Sequence, residues 1–369
     1  MTVRTASARP GITEAYATLG AGSRVSASDN LTDSFDRGPD GLVLNAGSLR
    51  AEAGSNPSSP PGALGDALHA AHLRTAVLGS GDIPPGLVNI YSAGRPRQDR
   101  LRPALAALAD RDGRVDIVGG GLDSGAESDL LMADPLAPFG LRADPGEVLT
   151  ATRAALEQAD VVLVDPGDLT RVAALGEGDA PERYRSRAIA DTDSLIGSLV
   201  TQVPPDTLVL IVAPTPPDRH WRLTPTVVVG LGAPVGELHS PSTRQPGLVT
   251  LTDVAPTVLA SLGVPVSADL VGHALRYTPG PASLARMARL DRDDTYRESM
   301  YLRVVVAFIV VQAFVYLLVA LAVRRRRSRA VVSQPSLGVR WLRLAVLAIA
   351  ALPLATFIFR GIPFAASWG

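Results

Sequence analysis

Two aspartates close the apolar run Val161-Val-Leu-Val164, where the chain continues Asp165-Pro-Gly-Asp168. Open α/β sheets bind ligands beyond the carboxyl ends of their strands, so carboxylates placed there stand where chemistry is done. The same side chains also cap turns and helices through oxygen-to-amide bonds, and that reading stands beside the functional one. Asp191 and Asp193 are spaced as an exposed helix face, and Asp253, just ahead of Val254-Ala-Pro-Thr-Val-Leu-Ala-Ser-Leu-Gly263, reads as a helix N-cap. His220 stands beside Trp221, whereas His69, His72, His239 and His273 read as surface or loop residues. There is no cysteine, which excludes disulfides, a thiol nucleophile and thiolate zinc sites. Serine, histidine and aspartate are all available for a triad, but no Gly-x-Ser-x-Gly elbow supports one. The glycine clusters at 79–82 and 119–121 lack a phosphate-loop lysine and the dinucleotide fingerprint, so they read as turns after strands.

The elements that must position these groups alternate in type. Leu208 to Ala213 is a run of six apolar residues bounded by prolines, which reads as a strand buried on both faces. Its exit, Pro214-Thr-Pro-Pro217, fixes φ and removes N–H donors, so the stretch leading to His220 is stiff and extended. Further strands are expected at Thr75–Leu78, Val115–Val118, Val161–Val164, Thr226–Val229 and Leu248–Leu251. Helices are expected over Pro61–His72, Leu101–Ala109, Gly146–Ala159, Glu182–Val203 and Ala255–Leu262, the last stopped by Gly263. Such alternation predicts an α/β fold with a mostly parallel sheet flanked by helices.

Charge and hydropathy divide the chain. The formal net charge of −1 over 369 residues offers no bulk attraction to nucleic acid, which is excluded as a partner. All 35 basic residues are arginine, as in proteins from GC-rich genomes. Val304–Val323 is a 20-residue run broken only by Gln312, the length that crosses a hydrocarbon core of about 30 Å. A second apolar stretch follows, and the short segment between them carries seven arginines. The expected organisation is an α/β domain over 1–281, a charged helical connector over 282–303 and a transmembrane helix over 304–323. An Arg-rich cytoplasmic loop over 324–343 and a second transmembrane α-helix over 344–363 complete it. The positive-inside rule then places the large domain outside the cell membrane, with the lipid bilayer and other membrane or cell-envelope proteins as partners. Met1 to Gly22 holds no apolar h-region, so the chain is expected to be a piece of a longer multi-pass protein.

Several segments together resemble the alkaline phosphatase superfamily, which includes sulfatases, phosphodiesterases and cofactor-independent phosphoglycerate mutases. Gly247-Leu-Val-Thr-Leu-Thr-Asp-Val-Ala-Pro-Thr-Val-Leu-Ala-Ser-Leu-Gly-Val-Pro265, followed by Gly272, is similar to its late D-x-x-P-T-x-L-x-x-x-G helix. Asp191-Thr-Asp-Ser-Leu-Ile-Gly197 ahead of Thr207–Val212, Leu64–Gly79 and Ala15-Tyr-Ala-Thr-Leu-Gly-Ala-Gly22 are similar to three further segments. The resemblance implies an alkaline-phosphatase-like domain whose relatives attack phosphorus or sulfur with a hydroxyl held between two metal ions. On that basis Thr5, Ser7 and Thr13 are nucleophile candidates. Asp165, Asp168 and His220 are metal-ligand candidates, with Asp191 and Asp253 as further site residues.

The chain departs from the family where the chemistry is densest. The Asp-His pair expected after the strand at 207–212 is replaced by Pro214-Thr-Pro216, and the amino-terminal strand ending in Asp-Gly is absent. The expectation is therefore a bacterial membrane protein with an extracytoplasmic, catalytically inactive domain serving a binding or structural role at the cell envelope. No cofactor is expected. The alternatives are an active metal-dependent phosphatase, phosphodiesterase or phosphoglycerol-type transferase using Zn, Mn, Ca or Mg, and an accessory domain of a membrane transport assembly.

Overall fold

A computed structural model of the chain describes residues 11–27, 35–38, 41–44, 61–79, 81–84, 102–120, 130–176, 179–216, 222–230, 235–243, 245–268, 270–281 and 283–327. It divides into two compact units, Met1–Asp291 and Arg292–Gly369. The first unit opens with α1 (Ile12–Ala21), β1 (Phe35–Gly38), β2 (Gly41–Leu44), α2 (Ala63–Ala70) and β3 (Thr75–Leu78). The one-turn α3 (Leu105–Leu108), β4 (Arg114–Val115), β5 (Ile117–Gly119), β6 (Leu131–Ala133) and β7 (Leu141–Ala143) follow. Then come α4 (Pro145–Leu156), β8 (Val161–Val164), α5 (Asp168–Ala174) and α6 (Asp179–Gln202). Next are β9 (Val209–Val212), β10 (Thr226–Val229), β11 (Gly236–His239), α7 (Val254–Ser261) and β12 (Arg276–Pro279). The last helix, α8, runs from Leu284 to Arg327.

The core is organised around α1, in which every residue from Thr13 to Ala21 is buried. Small side chains make this possible. A Cβ on Gly20 would stand 2.2 Å from the Ala107 carbonyl oxygen, so α1 and α3 meet backbone to backbone. The helix stops at Gly22, whose φ of 58° is left-handed and whose N–H returns to the Leu19 carbonyl. Leu64, Leu68, Leu105, Leu108, Leu251 and Leu259 fill the space around it. Each such side chain contributes about 1.5–3 kcal/mol through burial.

One three-stranded sheet is parallel, in the order β5-β3-β8, with Ala76 opposite both Ile117 and Val162. The central β3 is buried at all four positions. Val77 packs into the cluster around α1, while Ala76 and Leu78 pack into a second cluster with Val148, Ala155 and Leu195. This alternation covers the strand on both faces, which a parallel sheet requires. Asp144 starts α4 by accepting the N–H groups of Gly146 and Glu147, with Pro145 fixing the first turn.

The structure corrects the expected fold in two respects. It is mixed α/β, and among the described residues parallel pairing is confined to those three strands. The run at 208–213 is not a strand buried on both faces: among the described residues β9 pairs only with β10, antiparallel, and its four residues are only half-buried. An apolar run reports hydrophobic surroundings but does not encode which strand lies beside it. Leu248–Leu251 is a loop that tightens into a 3₁₀ turn at Leu251–Asp253, because the Thr250–Asp253 capping box closes the backbone there.

The second correction concerns the two transmembrane α-helices. Among the described residues no helix is long and apolar enough to cross a membrane. The run at 304–323 is the distal part of the 44-residue α8, whose earlier part carries Arg286, Arg289, Asp291, Arg292, Asp293 and Arg303. As one element, that helix is charged along its first half and is not an apolar rod. The stretch at 344–363 lies outside the described residues.

Candidate functional site

The carboxyl edge of the parallel sheet gathers three aspartates, delivered by the turns after β3 and β8. Asp82 follows β3 and meets Arg102 at 2.7 Å, with both side chains almost fully buried. Asp165 ends β8, its backbone N–H still bonded to the Leu78 carbonyl. Gly79 must be glycine, because a Cβ there would stand 1.9 Å from the Asp165 carbonyl oxygen. Asp168 opens α5 after Gly167, which takes a φ of 74° to turn the chain.

The Asp165 carboxyl is closed by internal donors. Tyr16, from the buried face of α1, donates its hydroxyl to Oδ2 at 3.0 Å, and the Gly167 N–H donates to Oδ1 at 3.0 Å. Burial pushes the Asp165 carboxyl above its ordinary range, against the Gly167 N–H, the Tyr16 hydroxyl and the Arg171 charge. Burial, and then the carboxylate, push the Tyr16 phenol well above its usual value. Asp168 Oδ1 accepts the Ala143 N–H at 3.0 Å and the Arg171 guanidinium at 2.6 Å. Arg171 has no solvent exposure, and the same nitrogen reaches the Pro166 carbonyl at 3.1 Å.

Asp168 also borders a shallow cleft with Leu136, Pro138, Arg142, Tyr184, Arg187 and Asp191. Behind the cleft, Asp134 takes Arg142 at 3.0 Å and Arg187 at 2.7 Å. The Leu136 N–H holds the Asp134 carboxyl below its usual range; burial opposes it, and the Arg187 and Arg142 guanidinium groups add to the lowering. Arg187 also faces Asp191 at 3.7 Å, one helical turn along α6. Three guanidinium groups (Arg142, Arg171, Arg187) thus face three carboxylates (Asp134, Asp168, Asp191), and the network is charge-compensated.

Of the residues singled out from the sequence, Asp165, Asp168 and Asp191 come together around this edge and cleft. Thr13 is buried on α1, one turn before Tyr16. Asp253 is buried elsewhere in the first unit, bonded to Ser242, Thr250 and the His273 backbone. Thr5, Ser7 and His220 lie outside the described residues. Among the described residues no three histidine, aspartate or glutamate side chains are grouped so as to hold a metal ion.

The residues missed in the sequence are Tyr16, Arg171, Asp134, Arg142 and Arg187. Arg171 stands three positions after Asp168, a helical spacing that was readable. Tyr16 lies 149 positions from Asp165, and no local pattern joins them. His69, read as a surface residue, is half-buried between Asp110 at 2.9 Å and Asp116 at 3.0 Å, tying α2 to the segment around β4. Burial raises the Asp116 carboxyl, but the Thr75 N–H and the His69 ring outweigh it, and the net position is below the usual value. No known family model matches the chain, and no curated protein shows significant similarity to it.

Proposed function

We propose that the chain is a catalytically inactive α/β domain, built on the plan of the alkaline phosphatase superfamily, with a binding or structural role at the cell envelope. The observation that carries this reading is the state of the carboxylates at the sheet edge. A hard divalent cation needs ionised, accessible oxygens. Asp165 is half-buried, desolvation pushes its carboxyl above the ordinary carboxylate range, and both its oxygens have partners. Asp82 and Asp168 are each neutralised by a buried guanidinium. These groups hold the turns of the sheet in place and leave no carboxylate free to exchange its partner for a metal ion. The cleft of Leu136, Pro138, Tyr184 and Arg187, beside Asp168, is the surface offered for binding. The envelope setting rests on the arginine-flanked stretch at 304–323, whose Val306, Ile309, Phe314 and Leu317 side chains are exposed, and not on a spanning helix.

Metal content and hydrolysis test the reading. The purified chain, equilibrated with Mn, Zn, Ca or Mg and desalted, is expected to retain no stoichiometric metal and to show no metal-dependent turnover of a nitrophenyl phosphate ester. Retention of about two divalent ions per chain, together with hydrolysis, would establish the active enzyme instead. Recovery in the washed envelope fraction of its cell is the expected location, and recovery in the soluble fraction alone would remove that part of the reading.

A further inference from the structure

A second polar cluster in the first unit has no part in the sheet edge. Asp253 is wholly buried at the end of its 3₁₀ turn. Its Oδ2 accepts the N–H and the hydroxyl of Thr250 at 2.8 and 2.7 Å. Its Oδ1 accepts the Ser242 hydroxyl at 2.6 Å and the His273 backbone N–H at 3.0 Å. Ser242 Oγ in turn lies 3.1 Å from His273 Nδ1.

These distances fix the protons. A carboxylate only accepts, so the single hydroxyl proton of Ser242 is committed to Asp253. The serine oxygen then faces the imidazole as an acceptor, and Nδ1 carries the ring proton. In the neutral ring the lone pair is therefore on Nε2, and His273 is exposed. The backbone that bears it is held rigidly. The N–H groups of Val271 and Gly272 both donate to the Gly22 carbonyl, at 3.1 and 3.0 Å. A Cβ on Gly272 would stand 1.9 Å from the Thr252 carbonyl oxygen, so no side chain fits there.

We propose that His273 Nε2 is a nucleophile that accepts a phosphoryl group from a small phosphoryl donor. The Nε2 lone pair forms the N–P bond while the donor's bond to its leaving group breaks, and the leaving group departs with that electron pair. The Nδ1 proton stays on the ring. The positive charge that develops is met, through the Ser242 hydroxyl, by the Asp253 carboxylate. Four donors shield that carboxylate, so it does not repel an anionic donor as an exposed acid would.

Two other histidines serve as internal references. His239 Nδ1 also lies 3.1 Å from a hydroxyl, that of Thr278, but among the described residues no carboxylate stands behind it. His69 has both ring nitrogens against carboxylates. The experiment is incubation of the full chain with phosphoramidate, followed by intact mass and peptide mapping under mildly alkaline conditions that preserve the N–P bond. His273 is expected to be phosphorylated about tenfold faster than His239. Ser242→Ala, with unchanged circular dichroism, is expected to slow the reaction about tenfold, and Ser242→Thr to restore it. Equal rates at His273 and His239 in the unaltered chain would overturn the proposal, as would a folded Ser242→Ala chain that reacts at the original rate.

Discussion

The corner at Asp165–Asp168 and the corner at Asp253 use the same side chain at the same kind of place, an element boundary, and reach opposite states. At the sheet edge the donors come from the interior: a tyrosine on a buried helix and a guanidinium with no solvent exposure. At Asp253 the carboxylate is wholly buried, but its partners Ser242 and His273 lead outward to the surface. The first arrangement consumes its acids in holding turns together. The second relays a buried charge to a ring that solvent can reach. A carboxylate at a strand end is thus not by itself a sign of chemistry, and the direction in which its partners run decides the matter.

The largest effect is expected where the interior donor is removed. Arg171→Leu leaves the buried Asp168 carboxylate, among the described residues, with the Ala143 N–H as its remaining bonded donor. Breaking a buried ion pair from one side costs about 3–5 kcal/mol, because the remaining charge is stranded. Equilibrium unfolding in urea reads this directly. A loss below about 1 kcal/mol, the range of exposed pairs, would show that the corner is wet and that the contrast with Asp253 is false.

How much of this was legible depended on the range of each signal. Asp165-Pro-Gly-Asp168 ends a strand and leads into a helix as its residue types dictate, a local pattern for which sequence order suffices. Asp253, expected to cap the helix that follows it, makes no side-chain cap bond there and instead closes a capping box with Thr250 in the preceding 3₁₀ turn. The Tyr16 and Ala143 partners are set by how α1 and β7 pack, and nothing near position 165 announces them. The apolar run at 208–213 showed hydrophobicity without showing that its pairing with β10 would be antiparallel. The run at 304–323 showed helix, but its continuity with a charged half beginning at Leu284 is a property of the whole element. His273 read as a surface or loop residue because Asp253 and Ser242, which place it in a relay, sit 20 and 31 positions away.

A smaller effect separates the acids by pH. Burial raises the Asp165 carboxyl above its ordinary value of 3.8. The unfolded chain therefore ionises first as pH rises, so the stability linked to Asp165 is full below about pH 4 and is lost as pH climbs through the folded value. Asp134 and Asp116, held below 3.8, act in the opposite sense: their contribution is present above that value and is lost as pH falls through the folded ones. Asp165→Asn removes only the first dependence. Its stability relative to the original chain is expected to improve as pH rises above about 4, and parallel stability curves would show that the fold does not raise the Asp165 carboxyl.

The smallest effect is expected at the outward-facing corner. Ser242→Ala takes one of four donors from Asp253, while the Thr250 N–H, the Thr250 hydroxyl and the His273 N–H remain. The serine is exposed, so water can take the vacated place, and the cost is that of one ordinary hydrogen bond, about 1 kcal/mol. Urea unfolding of this variant beside Arg171→Leu sets the two corners on one scale. If Ser242→Ala cost as much as Arg171→Leu, the serine would be a structural bolt like the arginine, and its place between Asp253 and the imidazole would be a consequence of packing. A small cost leaves the serine free to be what the proton positions make it, a link that holds the ring without holding the fold.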